Sequence, residues 1–422
     1  MTDPVWIAST LAAARPRALA ALLRYLRSME MAEDAFQEAC LRALQRWPAD
    51  GAPRDPLAWL ILVGRNAALD QLRREARHAP LPPEGLQLEA EQPDHAEQLD
   101  QACYRDDLLR LLFVACHPVL PPAQRIALAL RVVCGLTVRE IASAFLVAER
   151  AMAQRITRAK RRITVEGIPF DTPDAAARQA RLAAVSGTLY LMFNEGYAAS
   201  GGAQMVRAAL CDEAIRLMRL LGELFPDDGE VSGLTALMLL QHARRAARLD
   251  AGGDVVLLED QDRRRWDHAA IAEGCALLCQ ARAHGRPGPY RLQAEIAAAH
   301  ACAARADQTD WAAIDALYAV LEAIQPSPVV TLNRAVALEK TQGPAAALAS
   351  ITPLGERLAG YFHFHGVRGA LLLRLGRHAA AHEAFGTALA LARTPAEARH
   401  IRRQIDYLDA GLNPPVENRG PT

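Results

Sequence analysis

Apolar positions recur at helical spacing along almost the whole chain, and alternating apolar–polar runs are nearly absent. That pattern predicts an all-α protein. Residues 8–29 and 31–46 read as two amphipathic helices, and "LAWLILVGRNAALDQLRREARH" (57–78) as a longer one, apolar first and basic at its end. "WPADGAPRDP" (47–56) separates them as a Pro/Gly loop. Residues 79–101 then hold four prolines and six acidic residues with no basic one, a composition that cannot build a regular core. The expected division is therefore a first helical domain at 1–78, an acidic linker at 79–103 and a second domain at 104–166. A further break, "GIPFDTP" (167–173), precedes a helical extension at 174–412.

The last third of the extension repeats. Ala301, Ala335 and Gly369 lie 34 residues apart, as do Ala313, Ala347 and Ala381, and then Leu317, Ile351 and Phe385. Small residues at fixed offsets let paired helices approach, and the larger residue fills the groove between them. A 34-residue helix-turn-helix period predicts tetratricopeptide (TPR)-like repeats from about residue 290.

The second domain carries the clearest candidate chemistry. In "TVREIASAFLVAERAMAQRITRAKRRI" (137–163), Val138, Ile141, Ala142 and Phe145 form the inner face of one helix, with "LVAE" as the turn. Met152, Ile156 and Ile163 form the inner stripe of the next, leaving Arg150, Gln154, Arg155, Arg158, Arg161 and Arg162 on other faces. Two short helices with the second basic predict a helix-turn-helix. Arginine pairs bidentately with guanine and glutamine with adenine, while later arginines meet phosphates. A solvated helix face usually mixes signs, and 150–162 contains no acid. The 57–78 helix repeats the theme: Trp59, Leu60, Ile61 and Val63 are its buried side. Arg65, Asn66, Asp70, Arg73 and Arg74 are its polar, mostly basic stripe.

Net charge is formally zero, so any affinity for a polyanion must be local. The eight cysteines are scattered without a pairwise framework or C-x-x-C, which suits a reducing compartment. Cys275 and Cys279 share a helix face with His300 and Cys302 downstream; buried apolar thiols are the favoured reading there, and a zinc site the other. The opening residues lack the apolar core of a signal peptide and no stretch is apolar enough for a membrane span, so the expectation is a cytoplasmic protein without metal or cofactor. No Gly-rich phosphate loop, nucleophile elbow or HExxH occurs. The carboxylates Glu259, Asp260 and Asp262 stand beside three arginines and read as an ion-pair network, so no enzyme is expected.

Two stretches in series carry a resemblance. "AEDAFQEACLRALQRWP" followed by "PLAWLILVGRNAALDQLRRE" resembles the first conserved domain of extracytoplasmic-function (ECF) sigma factors, and "LPPAQRIALALRVVCGLTVREIASAFLVAERAMAQRITRAKRRI" their second. "LYLMFNEGYAASGG" (189–202), "LCDEAIRLMRLL" (210–221) and "LLEDQDRRRWD" (257–267) resemble the subgroup with a long TPR-like extension. The resemblance implies that Asp34, Gln37, Glu38 and Arg42 contact the β′ clamp helices of core RNA polymerase. It implies that the 47–56 loop with Arg65, Asn66, Asp70, Arg73 and Arg74 opens and reads a promoter −10 element, and that the basic helix reads the −35 element. The extension is expected to regulate activity or bind a protein or peptide partner, with Asn194, Glu195 and Tyr197 as a candidate ligand pocket. The competing reading is a TPR-containing helix-turn-helix regulator that acts without polymerase.

Overall fold

The computed structural model describes residues 4–51, 53–78, 101–145, 147–170, 175–197, 204–250, 252, 256–392 and 394–410. Most of the expected acidic linker, 79–100, lies outside them. No strand occurs among the described residues. The helices are α1 (Pro4–Leu26), α2 (Met29–Asp50), α3 (Pro56–His78), α4 (Gln101–Ala115), α5 (Pro122–Val132), α6 (Val138–Ala144), α7 (Glu149–Val165), α8 (Ala175–Tyr197) and α9 (Gln204–Leu224). They continue as α10 (Gly229–His242), α11 (His268–Ala281), α12 (Pro289–Ala301), α13 (Trp311–Ile324), α14 (Pro328–Gln342), α15 (Pro344–Ile351), α16 (Phe362–Arg374), α17 (His378–Leu391) and α18 (Pro395–Asp409). The chain divides into two compact units, Met1–Glu195 and Gly196–Thr422. The first unit thus takes in nearly all of α8, which the sequence pattern assigns to the extension. The apolar residues Leu182, Val185, Leu189, Met192 and Phe193 of α8 are all buried.

In the first unit, α2 starts at Ser28, whose hydroxyl accepts from the Met31 amide. Its apolar stripe (Ala32, Ala35, Phe36, Ala39, Ala43, Trp47) is buried. Trp47 corrects the expected loop. Its ring sits between those of Trp6 (5.9 Å) and Trp59 (5.3 Å), so burial carries the helix through Pro48 to Asp50. Only the stretch after Asp50 remains a connection to α3. Gly64 of α3 rests on α2; a Cβ there would stand 2.9 Å from the Ala35 carbonyl oxygen, so a side chain would force the two helices apart. The buried Asp107 of α4 pairs with Arg24 of α1 (3.4 Å) and with Arg110 (3.3 Å). Thr137 and Glu140 close a reciprocal capping box at α6, each accepting from the other's backbone amide.

In the second unit, α10 is apolar all round and buried over Val231–Leu240. Glu230, in its first turn, caps a different helix: its carboxylate accepts from the amides of Tyr290 (3.0 Å) and Arg291 (3.1 Å) at the start of α12, where the N-cap Gly288 has no side chain to offer. Arg291 is itself buried and donates to the Ala281 carbonyl, holding the end of α11. The segment between α10 and α11 is not helical as the sequence pattern predicts, but holds 3₁₀ turns at Arg245–Ala247, Leu258–Asp260 and Arg263–Arg265.

Helices α12 to α18 succeed one another as packed neighbours. The 34-residue register falls on equivalent places in the pairs α14/α15 and α16/α17, with Ala335 and Gly369 in mid-helix, while in α12/α13 Ala301 is the last residue of α12. Ala335, Ala347, Ala381, Ile351 and Phe385 are essentially inaccessible. A Cβ at Gly369 would meet the Phe385 ring at 2.7 Å, so the small residue is the seat of the large one. The first copy is looser, with Ala301, Ala313 and Leu317 only half-buried.

His300, near the end of α12, faces Trp311 at 5.1 Å. Burial, then the charges of Arg244 and Arg263, pull its pKa down from 6.5 to about 4. The folded state therefore holds His300 neutral where the unfolded chain charges it. Its contribution to stability is whole above pH 6.5 and is lost as pH falls toward about 4. Urea unfolding midpoints should drop across that window, and less steeply in His300→Phe, which keeps the ring contact and removes the proton.

Candidate nucleic-acid interface

Helix α7 buries Met152, Ile156, Ala159 and Ile163 on one stripe, packed against α5 and α6. Its opposite side exposes Arg150, Gln154, Arg158, Arg161 and Arg162, with Arg155 half-buried. These six predicted residues thus share one helix and stand off its packed face. Arg162 approaches Glu166 at 3.9 Å, an exposed pair that leaves the guanidinium available. The remaining cation of the run, Lys160, leaves the surface set: its ammonium pairs with Glu33 of α2, a half-buried contact that Arg15 joins at 3.8 Å. By spacing alone Lys160 belongs with the arginines, because a contact 127 residues away in the chain leaves no mark on a local pattern.

The polar stripe of α3 is also where the pattern puts it. Asn66, Asp70, Arg73 and Arg74 are exposed, and Arg73 pairs with Asp70 at 3.5 Å. Arg65 is half-buried and lies over the Tyr25 ring, 5.4 Å from its centre, with Arg24 over the same ring at 4.9 Å. Tyr25 is exposed, and helical periodicity does not single it out; a lone aromatic at the end of an Ala/Leu helix is the signal that could mark it.

On α2, Asp34 and Gln37 are exposed, while Glu38 and Arg42 are half-buried and hydrogen-bonded to each other at 2.9 Å. Asp34 and Gln37 lie opposite the buried alanine stripe, and Glu38 and Arg42 flank it. Between them stands Leu41, 55% exposed, with Leu44 beside it at 51%. The two leucines are the large apolar side chains left in water on the outer face of α2 among the described residues. Amphipathic pattern reading discounts them, since it expects every leucine to point inward.

Asn194 and Tyr197 of the candidate ligand pocket lie on the last turn of α8, both half-buried, and the side chain of Glu195 lies outside the described residues. The Tyr197 hydroxyl accepts from Arg244 at 3.3 Å, its carbonyl accepts from Arg248 at 2.8 Å, and the Arg248 guanidinium lies 3.7 Å over its ring. Tyr197 is thereby a fixture of the 3₁₀-turn segment. The acidic run "EDQDRRRW" resolves into structural pairs: Asp262 with Arg264 at 3.0 Å and Glu259 with Lys340 at 3.0 Å. Arg263 donates to the His300 and Ala303 carbonyls. Among the described residues no group of His, Cys, Asp and Glu could hold a metal ion. The thiols read as buried are partly open, Cys279 and Cys302 being exposed. No helix among the described residues is long and apolar enough to cross a membrane.

Similarity to known proteins follows this division. Residues 11–78 match Sigma-70 region 2 and residues 110–163 match Sigma-70, region 4. Residues 181–282 match a family of unknown function, DUF6596. The chain is 60% identical over 412 residues, 97% of each chain, to an uncharacterized protein of Rhizobium meliloti (strain 1021). No solved structure matches it. Region 2 spans α1–α3 with their exposed polar stripe, and region 4 ends on α7 with its outward arginines, so the two basic surfaces coincide with the two promoter-reading regions. The chain belongs to the sigma-70 family, as an ECF-like sigma factor with a helical C-terminal extension and a role in promoter recognition.

Proposed function

We propose that the protein binds core RNA polymerase through the outer face of α2 and directs it to promoters with a −10 and a −35 element. The observation that carries this reading is the exposed Leu41 within the Asp34, Gln37, Glu38 and Arg42 surface, an apolar centre with a polar rim. On this reading that surface meets the β′ clamp helices. Arg65, Asn66, Asp70, Arg73 and Arg74 of α3 act on the −10 element. Holding an extruded base costs a few kcal/mol, which stacking on the exposed Tyr25 ring or the Arg65 guanidinium can offset. Arg150, Gln154, Arg155 and Arg158 read the −35 element, with Arg161 and Arg162 on phosphates. The repeating helices of the extension, TPR-like in period, regulate that activity or hold a protein or peptide partner.

The test is reconstitution with core polymerase. The full chain should co-purify with core and support transcription from genomic promoter fragments. Leu41→Asp should weaken core binding roughly 10–100-fold, since burying an unpaired carboxylate at an interface costs a few kcal/mol, while leaving the circular dichroism spectrum unchanged. A chain that binds promoter DNA but never core would favour a stand-alone helix-turn-helix regulator. Transcription that is unaltered when the extension is removed would overturn its regulatory role.

A further inference from the structure

Three cysteines of the extension converge on the open side of α11 and α12. The Sγ atoms of Cys275, in α11, and Cys302, the C-cap of α12, lie 3.1 Å apart. That is too close for indifferent neighbours and about 1 Å longer than a disulfide bond. Cys302 is exposed and Cys275 half-buried, so the pair can be reached from solvent. Its setting is firm. The Cys302 amide donates to the Ala298 carbonyl at 2.8 Å, and Arg263 bonds the carbonyls of His300 and Ala303 on either side of the thiol. Cys116 and Cys211, by contrast, are buried and without such access.

We propose that Cys275 and Cys302 are a redox modification site, closing to a reversible intramolecular disulfide when the protein meets a hydroperoxide. The exposed Cys302 reacts first. Its thiolate sulfur attacks one peroxide oxygen, the O–O bond breaks, and a proton is taken up to release water (an alcohol from an alkyl hydroperoxide), leaving Cys302 as a sulfenic acid. The Cys275 sulfur then attacks the Cys302 sulfur, the S–O bond breaks, and the Cys275 proton leaves with that oxygen as a second water. Two thiols have lost two electrons, and the peroxide has gained them. Burial, with Cys302 and Cys279 nearby, pushes the Cys275 thiol up to about 12 and keeps it protonated, so the more open Cys302 is the sulfur that meets the peroxide first. The bond joins the middle of α11 to the end of α12 and closes the chain between them.

Full-length protein treated with hydrogen peroxide, alkylated and digested should yield a peptide pair linked through Cys275 and Cys302. The link should persist in Cys279→Ser and disappear with dithiothreitol. In Cys275→Ser, Cys302 should stop as a sulfenic acid and be captured by dimedone. The oxidised wild type should melt roughly 5–10 °C higher than the reduced protein, as expected for a loop of this size. A Cys302–Cys279 link, links only between chains, or Cys302 passing to sulfonic acid with Cys275 still free would each overturn the proposal.

Discussion

Alanine at Arg150, Gln154, Arg155 and Arg158 together should reduce binding to a cognate −35 sequence by about 10³-fold, with helix content unchanged. Each bidentate base pairing discriminates by about 1–3 kcal/mol, and two such pairings suffice for that reduction. None of the four side chains belongs to the buried stripe of α7, which is Met152, Ile156, Ala159 and Ile163, so the fold does not depend on them. The contrasting variant is Arg161→Ala with Arg162→Ala. It should weaken binding to all sequences alike and lower the slope of log affinity against log salt by about 2, one unit for each phosphate that is no longer neutralised. Fluorescence anisotropy with cognate and scrambled duplexes, at several salt concentrations, separates the two. Equal weakening on both duplexes for the first variant would show that α7 grips the backbone without reading bases.

Phe385→Ala should destabilise the extension by about 3–5 kcal/mol, a large share of what holds a domain of this size. The ring is 1% exposed and lies in the α16–α17 groove with Leu372, Leu373 and Ala388 around it. Gly369→Ala should cost about 1–3 kcal/mol by the opposite route, because its Cβ would enter that ring. The two are coupled. Once Phe385 is gone, the Cβ at 369 has room, so the double variant should be no less stable than Phe385→Ala alone. Urea unfolding of the full chain, followed by circular dichroism, supplies all four corners of the cycle. Simple additivity would mean that Gly369 and Phe385 do not pack as a repeat requires.

The helical period is legible because it is a local property. The buried stripe of α7 and the polar stripe of α3 are each written within one or two dozen residues. The 34-residue spacing is legible for a related reason, since each repeat packs on its neighbour and must keep the same small and large residues in step. The ends of elements are less so. Pro48 signals a loop, and only the seat of Trp47 between Trp6 and Trp59 shows why the helix continues past it.

Sequence alone therefore determined the all-α class, the two basic helices and the helical extension, since spacing and composition act over short distances. Tertiary structure decided which of the marked residues are free to act. It drew Lys160 into a pair with Glu33, set Arg65 over Tyr25 and enclosed Tyr197 between Arg244 and Arg248. It also left Leu41 in water and brought Cys275 against Cys302. Each of these outcomes joins residues far apart in the chain or depends on what packs nearby, and side-chain spacing along a single helix carries no record of either.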